Sequence, residues 1–137
     1  MKPIEERIRP LVDAINDVGY FKTFSSCEGH FGLRDPHRYD NREKAEVRFH
    51  ELQGIEETTI ETFFAAILKE FISSPVQWEA TLDICKRYTP NHDGWIEYAY
   101  IFTLKPFNPH EANELKRKHV NKLIEVVTEA VRHYPII

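Results

Sequence analysis

From position 20 to position 30 the chain reads Tyr-Phe-Lys-Thr-Phe-Ser-Ser-Cys-Glu-Gly-His, its densest run of reactive side chains. A thiol (Cys27), a carboxylate (Glu28) and an imidazole (His30) fall within four consecutive positions, behind the hydroxyls of Thr23, Ser25 and Ser26. Three chemistries suit these residue types. In the first, Thr23, Ser25, Ser26 and Gly29 form the floor of a pocket for a small anionic or nucleotide-like ligand, because small residues let the backbone approach and offer amide donors. Cys27, Glu28 and His30 would then be the catalytic groups, Glu28 and His30 moving protons or orienting the ligand. Arg34 or Arg48 would neutralise its charge through paired hydrogen bonds. In the second, Cys27 and His30 make a short chelate, and His37 and His50 close a tetrahedron around zinc. Glu28 then serves as a ligand or as the base toward bound water. In the third, a Cys27 thiolate paired with a His30 imidazolium is a nucleophile. Against all three stands a plain alternative, a hydroxyl-rich turn that opens into a solvated loop.

Such groups need a frame. Ile4, Ile8, Leu11, Val12 and Ile15 recur at helical spacing, with Pro10 in the first turn or at a kink and Gly19 as the stop. Tyr20 to Ser26 reads as a strand that delivers Cys27 into a loop, the position where scaffolds display functional groups. Lys44 to Leu52 alternates, Ala45, Val47 and Phe49 against Glu46, Arg48 and His50, the pattern of a half-buried strand. Thr58 or Thr59 caps a second helix whose stripe is Ile60, Phe63, Phe64, Ile67, Leu68, Phe71 and Ile72. A third strand points Trp78, Ala80, Leu82 and Ile84 inward, and a turn at Thr89–Gly94 leads to a fourth, Trp95–Lys105, that is apolar on both faces and therefore lies centrally or is covered on both sides. Tyr98, Tyr100 and Phe102 pack under a helix in this reading, rather than stacking on nucleobases. The last helix opens with Asn108 as cap and Pro109 at its first position, and carries Ala112, Leu115, His119, Leu123, Val126, Val127 and Ala130 inward. His119 is expected as a core histidine bonded to a backbone carbonyl. The order is α-β-β-α-β-β-α, a single α+β domain over residues 1–137 with helices packed on an antiparallel or mixed sheet.

Composition narrows the partners. A chain of 137 residues with 42% hydrophobic content builds one core. Its net charge of -4 argues against strong non-specific nucleic-acid binding, which needs an electropositive face. The chain has no apolar run of membrane-spanning length, so no membrane partner is expected. The charged start, Met1 to Pro10, lacks the apolar core of a signal peptide. Two cysteines in a chain of this size point to reduced thiols and a cytoplasmic location.

The string Thr23-x-Ser25-Ser26-Cys27-x-Gly29, preceded by Tyr20-Phe21, resembles the Thr-x-Ser-Ser-Cys-x-Gly-Arg signature of the wybutosine-synthesis family of tRNA methyltransferases. The resemblance is confined to this motif and departs from it at His30, where the family has arginine. It implies S-adenosylmethionine as cofactor and methyl transfer to a nucleic-acid base as the activity, on a helix and strand followed by β-β-α units. Ser26-Cys27-Glu28-Gly29-His30 also resembles a string in small bacterial and phage proteins, which implies no particular activity.

Overall fold

The computed structural model describes residues 3–32 and 43–135. Helix α1 (Arg9–Asp17) carries Pro10 in its first turn, where a missing N–H costs nothing, and buries Leu11, Val12, Ala14 and Ile15. Strands β1 (Phe21–Cys27) and β2 (Ala45–Glu51) follow, then helix α2 (Glu57–Ile72) and a short 3-10 helix, Pro75–Trp78. Strands β3 (Ala80–Pro90) and β4 (Ile96–Pro106) form a long hairpin, and helix α3 (Asn113–Arg132) closes the domain. The architecture is thus the α+β order that the periodicities predict.

All three strand pairings are antiparallel, in the spatial order β1-β2-β4-β3. One face of the sheet presents Phe21, Val47, Phe49, Phe102 and Leu104, all at least nine-tenths buried. The rings of α2 close on that face: Phe63 lies 5.2 Å from Phe21, and Phe64 lies 5.9 Å from Phe102. Each fully buried Phe or Leu contributes about 1.5–3 kcal/mol, and burial of this face opposes a one-residue slip of register, which would turn these side chains to the other face.

Several elements depart from expectation. Helix α3 starts at Asn113, not near Asn108, because Asn108 closes a turn on itself: its Oδ1 accepts the His110 N–H at 2.9 Å. Its buried face is Lys116, Val120, Leu123, Ile124, Val127, Thr128 and Val131, so Leu115 turns outward. Lys116 is held there by Glu43 at 2.8 Å. His119 meets the Glu111 carboxylate at 2.8 Å and not a backbone carbonyl. Trp78 ends the 3-10 helix and is 72% exposed, since strand alternation begins only at Ala80. Helix α2 is capped at Glu56, without a side-chain bond, rather than at Thr58 or Thr59. β4 is central, as its two apolar faces require, but Trp95 and Ile96 stand exposed at the hairpin end, beyond the reach of β2. Both cysteines are free thiols. Among the described residues no helix is long and apolar enough to cross a membrane.

Candidate functional site

Strand β1 does not run straight into its reactive end. Thr23 faces Phe49 and Ser25 faces Arg48, so an extra residue at Phe24 bulges the strand. Directly opposed residues share a face of the sheet, and a one-residue slip exchanges the faces. Without the bulge Cys27 would share the helix-covered face of Phe21. With it, Cys27 lies opposite Glu46 on the other face, and Glu28 takes the helix side.

Glu28 is the anchor. Its carboxylate is buried and accepts from the Arg7 backbone N–H at 3.2 Å and from the Arg7 guanidinium. Arg117 of α3 binds the backbone beside it, donating to the Glu28 carbonyl at 2.6 Å and to the Gly29 carbonyl at 2.9 Å. The same guanidinium lies over the Phe31 ring, 4.7 Å from its centroid, and its Nε donates to Asn121 at 3.0 Å. Burial by itself would raise the Glu28 pKa, but the hydrogen bonds and charge of Arg7 outweigh it and hold the group below the ordinary carboxylate range. A carboxylate held ionised and enclosed by its partners fixes the loop; it is poorly placed to trade protons. Gly29 permits the loop's turn, with φ of +90°, and a Cβ there would crowd the Phe31 ring at 3.1 Å and the Lys44 backbone at 3.3 Å.

With the loop so held, three donors of different chemistry converge. A carboxylate oxygen of Glu5, the Cys27 sulfur and a ring nitrogen of His30 all lie within 4.8 Å of one another. His30 Nε2 is 3.2 Å from Glu5 Oε2, while Glu5 Oε1 accepts the Glu28 N–H at 3.0 Å. The Gly29 N–H donates to Cys27 Sγ at 3.4 Å. Burial, the largest influence, pushes the Cys27 thiol up; the Gly29 N–H opposes it and the Glu5 carboxylate adds to it. The thiol therefore stays protonated at neutral pH, and the thiolate–imidazolium nucleophile is not its resting form.

The other expected residues are placed elsewhere. His50 is not brought to Cys27: it pairs with Lys22, about 13 Å along β2 from the level of Cys27 at four residues of strand rise, and stacks on Phe24 at 4.5 Å. Arg48 is paired with Glu46, so its charge is already spent. Thr23 is taken by Asn16 of α1, which it contacts through both its hydroxyl (2.9 Å) and its N–H (3.0 Å). Ser25 and Ser26 line a cleft of about 410 Å³ with Pro3, Ile4, Val12, Lys22, Thr23 and Phe24. Arg34 and His37, with Arg38 and Arg42, lie outside the described residues. Sequence reading missed Glu5, Arg7 and Arg117, which stand on elements remote from the motif and carry no local signature. Comparison of the chain with protein-family models, with curated proteins and with solved structures finds no match.

Proposed function

We propose that this domain binds one zinc-class metal ion through Glu5, Cys27 and His30. The convergence of a carboxylate, a thiol and an imidazole within 4.8 Å carries the reading. Bonds of about 2.0–2.3 Å to such ligands bring donor atoms to roughly 3.3–3.8 Å of each other, so closing on the ion needs shifts of only about 1 Å. A mixed sulfur, nitrogen and oxygen set suits a borderline ion such as zinc better than calcium or magnesium. The supporting contacts are of the kind that orient ligands: the Glu28 N–H fixes one oxygen of Glu5, and the Gly29 N–H meets the sulfur. Three protein ligands leave one tetrahedral position for a water, whose pKa a bound zinc would draw toward neutrality. The test is titration of metal-free protein with cobalt(II), read by the sulfur-to-cobalt charge-transfer band, and competition with zinc. One equivalent is expected, with the band lost in Cys27→Ser, binding much weakened in His30→Ala and Glu5→Gln, and no change in His50→Ala. Protein that takes up no metal, or whose uptake ignores Cys27 and His30, refutes the reading.

A second reading rests on the cleft beside Ser25 and Ser26. Among the described residues that line it, the Lys22 ammonium and the Thr23, Ser25 and Ser26 hydroxyls are the groups that suit a small anionic or nucleotide-like ligand. The resemblance to tRNA methyltransferases names S-adenosylmethionine as the first ligand to try. Calorimetry with this compound and with adenosine monophosphate tests it. Binding lost in Lys22→Ala or Ser25→Ala but kept in Cys27→Ser supports it, and silence with both compounds removes it.

A further inference from the structure

Strand β3 is an edge strand of the described sheet, at the far side from the thiol and imidazole. Its backbone pairing with β4 leaves a specific set of groups without a partner among the described residues. The Asn91 N–H bonds to the Trp95 carbonyl at 2.8 Å and the Phe107 N–H to the Glu79 carbonyl at 3.1 Å. In an antiparallel ladder hydrogen-bonded positions alternate, so odd-numbered residues of β3 turn their backbone toward β4. The N–H and C=O groups of Leu82, Ile84, Lys86 and Tyr88 therefore point out of the sheet, with no bulge in the register of this strand. A row of this kind is a template for another strand. The one cationic side chain among these four, Lys86, does not block the edge: its ammonium is drawn over the Tyr98 ring, 4.3 Å from the centroid.

We propose that the partner of this edge is the β3 edge of a second copy, paired antiparallel about a two-fold axis at Cys85. Backbone parity carries the first part of the argument. Outward-pointing positions must face outward-pointing positions, so the axis passes through a residue and not between two. Like charges disfavour three positions, and of the axes within β3 that remain, Cys85 is the one that opposes unlike charges. An axis at Asp83 sets Asp83 against itself, one at Lys86 sets Lys86 against itself, and one at Arg87 does the same for Arg87. Like charges directly opposed are destabilising. An axis at Cys85 instead sets Asp83 of each copy opposite Arg87 of the other, twice, on the face that both side chains already share. In the single chain Asp83 and Arg87 are both exposed, and among the described residues Asp83 pairs with Lys105 alone, at 3.3 Å in a solvated pair. Exposed apolar side chains stand at both ends of the β3–β4 hairpin. Trp78 (72%) and Phe107 (59%) stand exposed at one end of β3, and Tyr88 (61%), Trp95 (72%) and Ile96 (74%) at the other. Antiparallel pairing sets the exposed Tyr88 of each copy opposite Leu82 of its mate at the seam, while Trp95, Ile96 and Phe107 lie one strand back from it. The result is a continuous eight-stranded sheet with the two candidate metal sites at its outer edges; the proposal does not depend on those sites.

Light scattering after size exclusion tests this, over micromolar to hundred-micromolar concentrations of the full chain. The expected mass is twice 16.2 kDa. Arg87→Asp should raise the dimer dissociation constant by at least about tenfold, because two attractive pairs become repulsive. The double variant Asp83→Arg with Arg87→Asp should restore it, and circular dichroism of each variant checks that the chain has folded. In a Cys27→Ser background, oxidised glutathione should link the two Cys85 residues. The exchange converts two thiols and one glutathione disulfide into the protein disulfide and two reduced glutathiones. Facing residues at a non-hydrogen-bonded pair lie about 4.5 Å apart at Cα, within the range a disulfide spans. A monomer at every concentration overturns the proposal. So does a dimer indifferent to the charge reversal, or one in which Cys85 forms no cross-link.

Discussion

Replacing Glu28 by glutamine keeps the shape of the side chain and removes its charge. In the native chain this carboxylate accepts from the Arg7 backbone and side chain, with an Arg117 nitrogen 4.0 Å away. Hydrogen bonds to charged groups contribute about 1.5–3 kcal/mol. Because the Arg7 side chain is 55% exposed, solvent screens its share. The lower part of that range, about 1.5–2 kcal/mol, is the expected loss near neutral pH. With a urea slope of about 1–3 kcal/mol per molar, the midpoint should fall by about 1 M. The pH dependence gives the sharper check. A carboxylate whose native pKa is depressed stabilises the fold above its unfolded pKa, and that contribution is lost as pH falls through the native value. The wild-type and Glu28→Gln stabilities should therefore converge in acid. Urea denaturation followed by circular dichroism, from about pH 7 down to about pH 3, measures both numbers. A gap under about 0.5 kcal/mol at neutral pH, or one that persists undiminished in acid, would refute the anchoring role.

Gly29→Ala should cost about 2 kcal/mol, from a Cβ forced into positive φ and against the Lys44 backbone, and should weaken metal uptake together with stability. Thermal unfolding and the cobalt titration check it, and an unchanged midpoint would mean the loop relaxes freely. Thr128→Val should stabilise the chain by about 1 kcal/mol, since the buried Thr128 hydroxyl has no hydrogen-bond partner among the described residues and its removal ends a desolvation cost. A measured loss would reveal a partner for that hydroxyl. Metal affinity should climb with pH by up to about tenfold per unit through neutrality, because burial keeps the Cys27 thiol protonated and the ion must displace that proton. Titrations in buffers of different ionisation enthalpy would count the proton, and a flat profile would exclude the thiolate as ligand.

Where chemistry depends on neighbours in the chain, reading residues in order served well. The stripe of α2 and the alternation of Ala45, Val47 and Phe49 are periodic signals contained in a few turns or a few pleats; the core buries Ile60, Phe63, Ile67 and Phe71 of the stripe, half-buries Phe64 and Leu68, and leaves Ile72, in the last turn, 60% exposed. The start of α3 misled because Asn108 and Pro109 form an acceptable cap in isolation, yet Asn108 spends its side chain on a turn that closes before the helix. The face of α3 was rotated for a related reason: Lys116 is apolar along its stem and finds Glu43 for its charge, so a residue that reads as exposed is buried. Trp78, read as a strand residue, belongs to the 3-10 helix that precedes the strand.

From the order of residues alone came the α-β-β-α-β-β-α frame and the suspicion that Cys27 and His30 act together, because helical and strand periods and a three-residue spacing are local quantities. Only folding decided what joins them. The bulge at Phe24 sends Cys27 to the opposite face of the sheet, β-sheet register separates His50 from it, and Glu5, Arg7 and Arg117 arrive from distant segments. Closure of that kind depends on how helices dock against a sheet, and no neighbouring residue encodes it.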